Sequence, residues 1–405
     1  MGSGVRRRQC GACGYDDLEM FLDLGLSPIA DEYTSKPDKT VPTYPLQLAV
    51  CTGCRLVQLL DVVDHDRLFG EGYSFYSSAS PPLSAYHERY AQDVIGCYPD
   101  LARRLTVEVG SNDGDFLRHF HDAGCQVLGV DPARGPALRA LERGLAVIDE
   151  PFGLRTAARL HDQLGPAGVI VANHVLAHVE SVSDVLSGIE CLLASDGVVY
   201  IEVQYLPDLL VNNAFDLVYH EHRNFFSLTS LESAAQRWGL HVTNAWLTNR
   251  QGGSLRVELH RSRRVPPHPD VDVLRASEEW LKSDEAYRGF QGRVDRVRWR
   301  LEDLIYRSEP LLGYGAPAKA TTLLHFCGID QPFLDRIVDT TEAKQGMYVP
   351  GTSIPIVAPE SIDIHDYPVT LLLAWNYLSQ IVRGHVEYMA RGGRWIVPVP
   401  SPMLL

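Results

Sequence analysis

Between residues 104 and 205, short apolar runs alternate with stretches whose apolar positions recur every three to four residues. Leu105–Val109 is a β-branched run that stops at Gly110, and Asp115–His121 reads as helical. The strand pattern returns at Cys125–Val130, Ala146–Ile148, Gly168–Ala172 and Gly197–Val203, with helical periodicity between. Strands and helices alternating at this length predict an α/β fold with a parallel, doubly wound sheet. An irregular polar–aromatic stretch (212–227) follows, then a helix over 228–238 and strands over 241–247 and 254–260. A charged helical region covers 270–308. A second α/β unit opens at Leu311 and has strands near 335–339 and 368–374. Upstream, residues 1–70 are turn-rich and punctuated by proline at Ser27-Pro28, Lys36-Pro37 and Val41-Pro42. An aromatic, hydroxyl-rich stretch (72–80) and an amphipathic helix over 83–96 come next. These shifts divide the chain into 1–70, 71–267 and 268–405.

Composition adds exclusions. Of 405 residues, 45% are hydrophobic and 22% charged, and 37 Lys+Arg against 51 Asp+Glu give a net charge of −14. That balance argues against a protein whose main task is gripping nucleic acid or an anionic membrane, and leaves room for a small basic pocket. No apolar run reaches the ~18–20 residues of a membrane helix. The basic N-terminus leads into a cysteine motif without an apolar segment behind it, so no signal peptide is read and a cytoplasmic protein is expected.

Four of the eight cysteines form two pairs, Cys10-Gly-Ala-Cys13 and Cys51-Thr-Gly-Cys54. Two such knuckles supply four thiolates, the tetrahedral set for zinc. A closed set of four leaves no open coordination position, so the zinc is structural. The 37 residues between the pairs exceed the usual spacing of about 15–20, so the insertion must form a hairpin or loop of its own. The other four cysteines are read as ordinary buried residues.

Glu108-Val-Gly110-Ser-Asn112-Asp113-Gly114 lies between a strand and a helix, where glycine allows close backbone approach and the helix N-terminus offers unpaired N–H groups. It lacks the G-x-G-x-x-G of a dinucleotide loop and resembles the first motif of the class I S-adenosylmethionine methyltransferases. Asp131 ends the next strand, 21 residues after Gly110, where a carboxylate can accept both ribose hydroxyls. By that resemblance Asn173 and His174 line the same pocket. Tyr219-His220-Glu221-His222 follows the fifth strand at the edge where open α/β sheets bind ligands, and its side chains are candidates for proton transfer. The later Gly313-Tyr-Gly315-Ala-Pro loop stops short of a third glycine, and no strand-end acid is read at dinucleotide distance after it.

The order of these motifs is informative. Two cysteine knuckles, Tyr-Ser-Phe-Tyr-Ser-Ser (73–78), Glu-Val-Gly-Ser-Asn-Asp-Gly, Tyr-His-Glu-His, Gly-Gly-Ser-Leu-Arg (252–256) and Gly-Tyr-Gly-Ala-Pro-Ala-Lys (313–319) resemble, in this order, the sugar C-methyltransferases. The resemblance implies three parts: a zinc-binding N-terminal module, a central class I methyltransferase domain, and a C-terminal Rossmann-like domain. It implies S-adenosylmethionine as methyl donor and a thymidine-diphosphate-linked 4-keto-6-deoxy sugar of antibiotic deoxysugar biosynthesis as acceptor, bound by a monomer. Carried over by motif, the catalytic set is Tyr76, Tyr219, Glu221, His222 and His178, with His222 as the base that makes an enolate. Arg256, Lys319 and Tyr314 are candidate substrate contacts. One departure is Gln251, where many relatives have histidine.

Overall fold

The apolar runs of the central region become neighbouring strands in the computed structural model, which describes residues 4–64, 67–68, 76–262, 265–308 and 311–405. Seven strands lie in the order His241–Thr248, Ser254–His260, Leu193–Gln204, Ala167–Asn173, Leu105–Val109, Gln126–Val130, Val147–Ile148. Ser254–His260 runs antiparallel to both neighbours, while the other recorded pairings are parallel. All five residues of Leu105–Val109 are buried, the polar Thr106 and Glu108 included, because neighbouring strands and helices cover both faces. Helix ends match their sequence signals. The Ser181 side chain caps Val182–Leu192, and Ser227 with Ser230 forms a reciprocal capping box for Leu228–Gln236. Glu278 accepts the N–H groups of Leu228 and Thr229 at 2.7 and 2.8 Å, placing an anion at that helix's positive end.

The N-terminal module contributes a four-stranded sheet whose order is Asn224–Phe225, Val57–Leu59, Thr43–Cys51, Leu18–Pro28. Its edge strand therefore comes from the stretch read as irregular, with Asn224 opposite Gln58 and Phe225 opposite Val57. Two residues are too few to carry a strand pattern, so tertiary pairing decides their conformation. The C-terminal sheet has six strands, in the order Ile356–Val357, Arg336–Val338, Leu311–Tyr314, Val369–Leu372, Arg394–Val397, Met403–Leu404. One apolar core joins the parts: Leu22, Leu46 and Leu48 of the N-terminal sheet share it with Phe215, Val218, Phe290, Leu323 and Ile337.

Two of the isolated cysteines differ from expectation. Cys97 is exposed and Cys191 half-buried, while Cys125 and Cys327 are buried. Among the described residues, no helix is long and apolar enough to cross a membrane.

Candidate active site

The glycine loop is built around Asp131. Gly110 donates its N–H to the Val130 carbonyl at 2.7 Å, and Asp131 accepts the N–H groups of Asn112 and Ala133 at 2.7 and 2.8 Å. Gly110 adopts φ +70° and Asn112 φ +49°. The Tyr76–Ala79 turn covers the loop: Ser77 donates its N–H to Asn112 Oδ1 at 2.9 Å, and Ser78 Oγ bonds Asp113 Oδ2 at 2.5 Å. Tyr76 lies under the Arg139 guanidinium, 4.2 Å from ring centroid to Cζ. Residues 72–75 of the aromatic stretch, and the side chain of Gln251, lie outside what the structure describes. Burial, with Asp131 and Asp115 nearby, pushes the Glu108 carboxyl well above the ordinary range.

Three histidines gather beyond the strand ends. His222 Nδ1 lies 2.8 Å from the Leu217 carbonyl, which can only accept; Nδ1 therefore carries the proton and the Nε2 lone pair receives the Tyr219 hydroxyl at 2.8 Å. By the same logic His178 donates from Nδ1 to the Glu221 carbonyl at 2.7 Å. The His178 and His222 rings are 5.2 Å apart. Burial, then the charge of His178, holds His222 well below its usual value, while burial takes His178 to about 4. Both are neutral imidazoles at pH 7. His220 points elsewhere, to the Pro45 carbonyl at 3.3 Å against the Tyr44 ring.

His174, at φ +55°, sets Nε2 3.3 Å from Glu202 Oε1. Burial works against the charge on Glu202, but His174, Arg256 and Tyr86 together hold its carboxyl down to about 2. Arg256 is spent within this network: its Nε is 2.9 Å from Glu202, and its guanidinium caps the Tyr90 ring at 3.3 Å. Glu202, Tyr86 and Tyr90 carried no sequence motif. Lys319 is buried without a hydrogen-bond partner among the described residues, 3.8 Å from Asp216 and 3.6 Å over the Trp375 ring. Burial pushes its amine down to about 7. Tyr314 packs edge-on against His385 and Trp395.

The C-terminal unit repeats the first loop's hydrogen bonds. Gly315, at φ +81°, donates to the Val338 carbonyl at 2.8 Å, and Asp339 accepts the N–H groups of Ala316 at 2.6 Å and Thr341 at 2.7 Å. Contrary to expectation, a strand-end acid does follow this loop. Asp339 stands 24 residues after Gly315, just past Arg336–Val338 in the neighbouring strand.

Comparison with known proteins fits this anatomy. Family models match residues 10–69 (a zinc binding domain), 86–245 (methyltransferase domain) and 249–400 (C-methyltransferase C-terminal domain). The C-methyltransferase NovU of Streptomyces niveus is 34% identical over 411 residues, covering 98% of this chain and 96% of its own. The chain belongs to the S-adenosylmethionine-dependent C-methyltransferases. Among solved structures, the magnesium protoporphyrin IX methyltransferase ChlM of Synechocystis PCC 6803, with bound SAH, is 16% identical. That likeness has a TM-score of 0.37 over 48% of this chain and 92% of that one. A methyltransferase of Anabaena variabilis is 12% identical, with a TM-score of 0.34 over 44% and 94% of the two chains.

A C-methyltransferase of this family needs room and partners for its donor. Both amide atoms of Asn173, Glu108 Oε2, Ser111 Oγ and Gln204 Oε1 are buried with no hydrogen-bond partner among the described residues, leaving polar groups for a ligand to satisfy. A Cβ on Gly110 would come within 2.3 Å of Val175 Cγ2. Gly110→Ala therefore combines a clash with a left-handed φ. It should cost on the order of 1–3 kcal/mol of stability and weaken S-adenosylmethionine binding, read by thermal melting and calorimetry. The cysteines fit zinc equally well. Cys10 and Cys54 sulfurs are 3.5 Å apart and those of Cys13 and Cys51 3.6 Å, with all four within 4.8 Å. A tetrahedron with Zn–S of ~2.3 Å has edges of about 3.8 Å. Hydrogen bonds from Cys51 and Cys54 draw the Cys10 thiol down to about 4, toward the thiolate that zinc takes.

Proposed function

We propose that this enzyme methylates the carbon beside the ketone of a thymidine-diphosphate-linked 4-keto-6-deoxy sugar, carbon 3 in preference to carbon 5, through an enolate in antibiotic deoxysugar biosynthesis. The observation that carries this reading is the Tyr219–His222 pair: a neutral imidazole whose proton-accepting nitrogen is already aimed through a hydroxyl. A ketone acidifies the neighbouring C–H; its proton passes to the Tyr219 oxygen as the Tyr219 hydroxyl proton moves to His222 Nε2, and the carbon is left as nucleophile. S-adenosylmethionine supplies the electrophilic methyl of its sulfonium. Tyr219 and Tyr76 donate hydrogen bonds to the enolate oxygen or ring hydroxyls, and Glu221 and His178 set the electrostatics around His222. Glu108, Gly110, Asn112, Asp113, Gly114, Asp131, Asn173 and His174 hold the donor, with Asp131 accepting its ribose hydroxyls. Through Glu202, Arg256 orients His174, which leaves the pyrophosphate to Lys319. An arriving dianion would restore the charge that burial suppresses there. Tyr314 joins the substrate side.

The nucleotide half of the reading is supported by the twin loops. One chain holds two strand–glycine–helix turns with the same aspartate bonding, which suits two ligands that each carry a ribose or deoxyribose. Asp339→Ala should raise the Kd for thymidine diphosphate about 10–100-fold and leave that for S-adenosylmethionine near wild type, since hydrogen bonds to a charged group are worth about 1.5–3 kcal/mol. The chemistry is tested by solvent-deuterium exchange into the keto sugar with S-adenosylhomocysteine present. Exchange at one ring carbon, lost in His222→Asn, is expected. No exchange with any 4-keto sugar would send the acceptor search to non-sugar ketones.

A further inference from the structure

The turn just before Tyr219–His222 is gripped by the C-terminal unit. Phe215–Leu217 forms a single 3₁₀ turn, and Phe215 packs edge-on against Phe326 with ring centres 5.1 Å apart. Trp375 Nε1 donates to Asp216 Oδ2 at 2.6 Å, and Thr322 Oγ1 donates to the Val218 carbonyl at 2.8 Å. Thr322 and Phe326 belong to the helix Ala318–Phe326, while Trp375 follows the strand Val369–Leu372. Asp216, Val218 and Thr322 are buried, so water competes little for these bonds. Between the two clasps lies Leu217, whose carbonyl is the acceptor 2.8 Å from His222 Nδ1. A Cβ on Gly252 would stand 3.5 Å from the Trp375 ring and 3.6 Å from Leu217 Cδ1, so the 249–253 loop closes against the same pair.

We propose that Trp375 and Thr322 are positioning residues for methyl transfer, holding the Leu217 carbonyl so that His222 keeps its proton on Nδ1 and its lone pair on Nε2. This rests on the reading that His222 is the base. Which imidazole nitrogen carries the proton is set by the hydrogen bonds the ring makes. A carbonyl only accepts, so a carbonyl fixed at Nδ1 selects one tautomer. A carbonyl free to turn away lets the proton settle on Nε2, and the Tyr219 hydroxyl then meets an N–H that cannot take its proton. Misplacing a catalytic group by about 1 Å can cost about 10²-fold in rate, so a clamp of this kind acts on turnover. The clamp also reaches the nucleotide side of the proposed site. Lys319, given the pyrophosphate above, sits 3.6 Å over the Trp375 ring whose N–H holds Asp216. Trp375 and Asp216 are 159 residues apart in the chain, and Thr322 and Val218 are 104 apart, so no local pattern links either pair.

The test uses the full zinc-loaded chain. Trp375→Phe removes the indole N–H and keeps an aromatic face beneath Lys319, Thr322→Val removes the hydroxyl at nearly constant volume, and Thr322→Ser retains it. Nitrogen-15 NMR of histidine-labelled protein reads the tautomer, with His222→Asn assigning the signal. The wild type should show His222 protonated at Nδ1, and Trp375→Phe and Thr322→Val should each show a mixture of tautomers. With a thymidine-diphosphate-linked 4-keto-6-deoxy sugar, kcat should fall about 10–100-fold in Trp375→Phe and about 3–10-fold in Thr322→Val, with KM within about twofold. S-adenosylmethionine affinity should stay constant, and Thr322→Ser should turn over like the wild type. Thr322→Val carries the test if Trp375→Phe does not fold. The tautomer arm needs no substrate, so it decides the geometry whichever acceptor the enzyme takes. An unmoved tautomer overturns the proposal whatever the rate does. A moved tautomer with an unmoved kcat also overturns it, and traces the failure to the role given to His222.

Discussion

Replacing His222 by Asn should lower methyl transfer by about 10²–10⁴-fold, the range for loss of a general base, with S-adenosylmethionine bound as in the wild type. Asparagine can still satisfy the Leu217 carbonyl and the Tyr219 hydroxyl, but it has no basic nitrogen. The separation of effects follows from position: His222 touches Leu217, Tyr219 and His178, whereas the glycine loop is bonded through Asp131, Ser77 and Ser78. The pH profile sharpens the prediction. Burial lowers the His222 pKa well below 6.5, so the neutral, proton-accepting form persists as pH falls through 6.5. An acid limb assigned to this base should therefore lie below pH 6.5, and Tyr219→Phe should move that limb by removing the hydroxyl bonded to Nε2. Activity close to wild type in His222→Asn would remove it as the base. Retained deuterium exchange with lost methyl transfer would divide enolisation from alkylation and assign His222 to the second step.

What the sequence disclosed follows from the range of each signal. The parallel strands were legible as short β-branched stretches between helical periodicities, and Ala167–Asn173, buried over six of its seven residues, reads as an almost uninterrupted apolar run. Gly110 and Asp131 were legible because a βα turn fixes their spacing, and the cysteines because zinc demands paired knuckles. Asn224–Phe225 was not legible as a strand, since its only instruction is a partner in another module. Glu202 and Asp216 share that property: each acquires its role from residues far away in the chain, and neither sits at a spacing that one element imposes. Asp339 differs. The same strand–glycine–strand geometry that marks Asp131 marks it, but a search for three glycines looked past a loop that needs only one at positive φ. Arg256, read as a candidate substrate contact, is 2.9 Å from Glu202, a partner that no sequence motif marks.

Removing zinc should act on the fold before it acts on the chemistry. Chelation, or Cys51→Ser, takes away a cross-link that joins the Cys10–Cys13 turn to the Cys51–Cys54 turn at one end of the N-terminal sheet, where Cys51 closes the Thr43–Cys51 strand opposite Leu18. Zinc contributes about 10–16 kcal/mol to isolated zinc modules, and the shared apolar core here would retain part of the sheet, so a loss on the order of several kcal/mol is expected. Calorimetry should show the N-terminal transition moving down by many degrees while the doubly wound sheet melts near its original temperature. Activity should fall as a consequence. Val57–Leu59 holds Asn224–Phe225 in register, Arg223 reaches the Val63 carbonyl at 2.7 Å, and both lie immediately after Glu221 and His222. Loosening that sheet therefore loosens the segment carrying the proposed base, and returning zinc should restore melting and rate together. A zinc-free protein that melts normally yet is inactive would contradict this order of events and give the metal a direct part in the reaction.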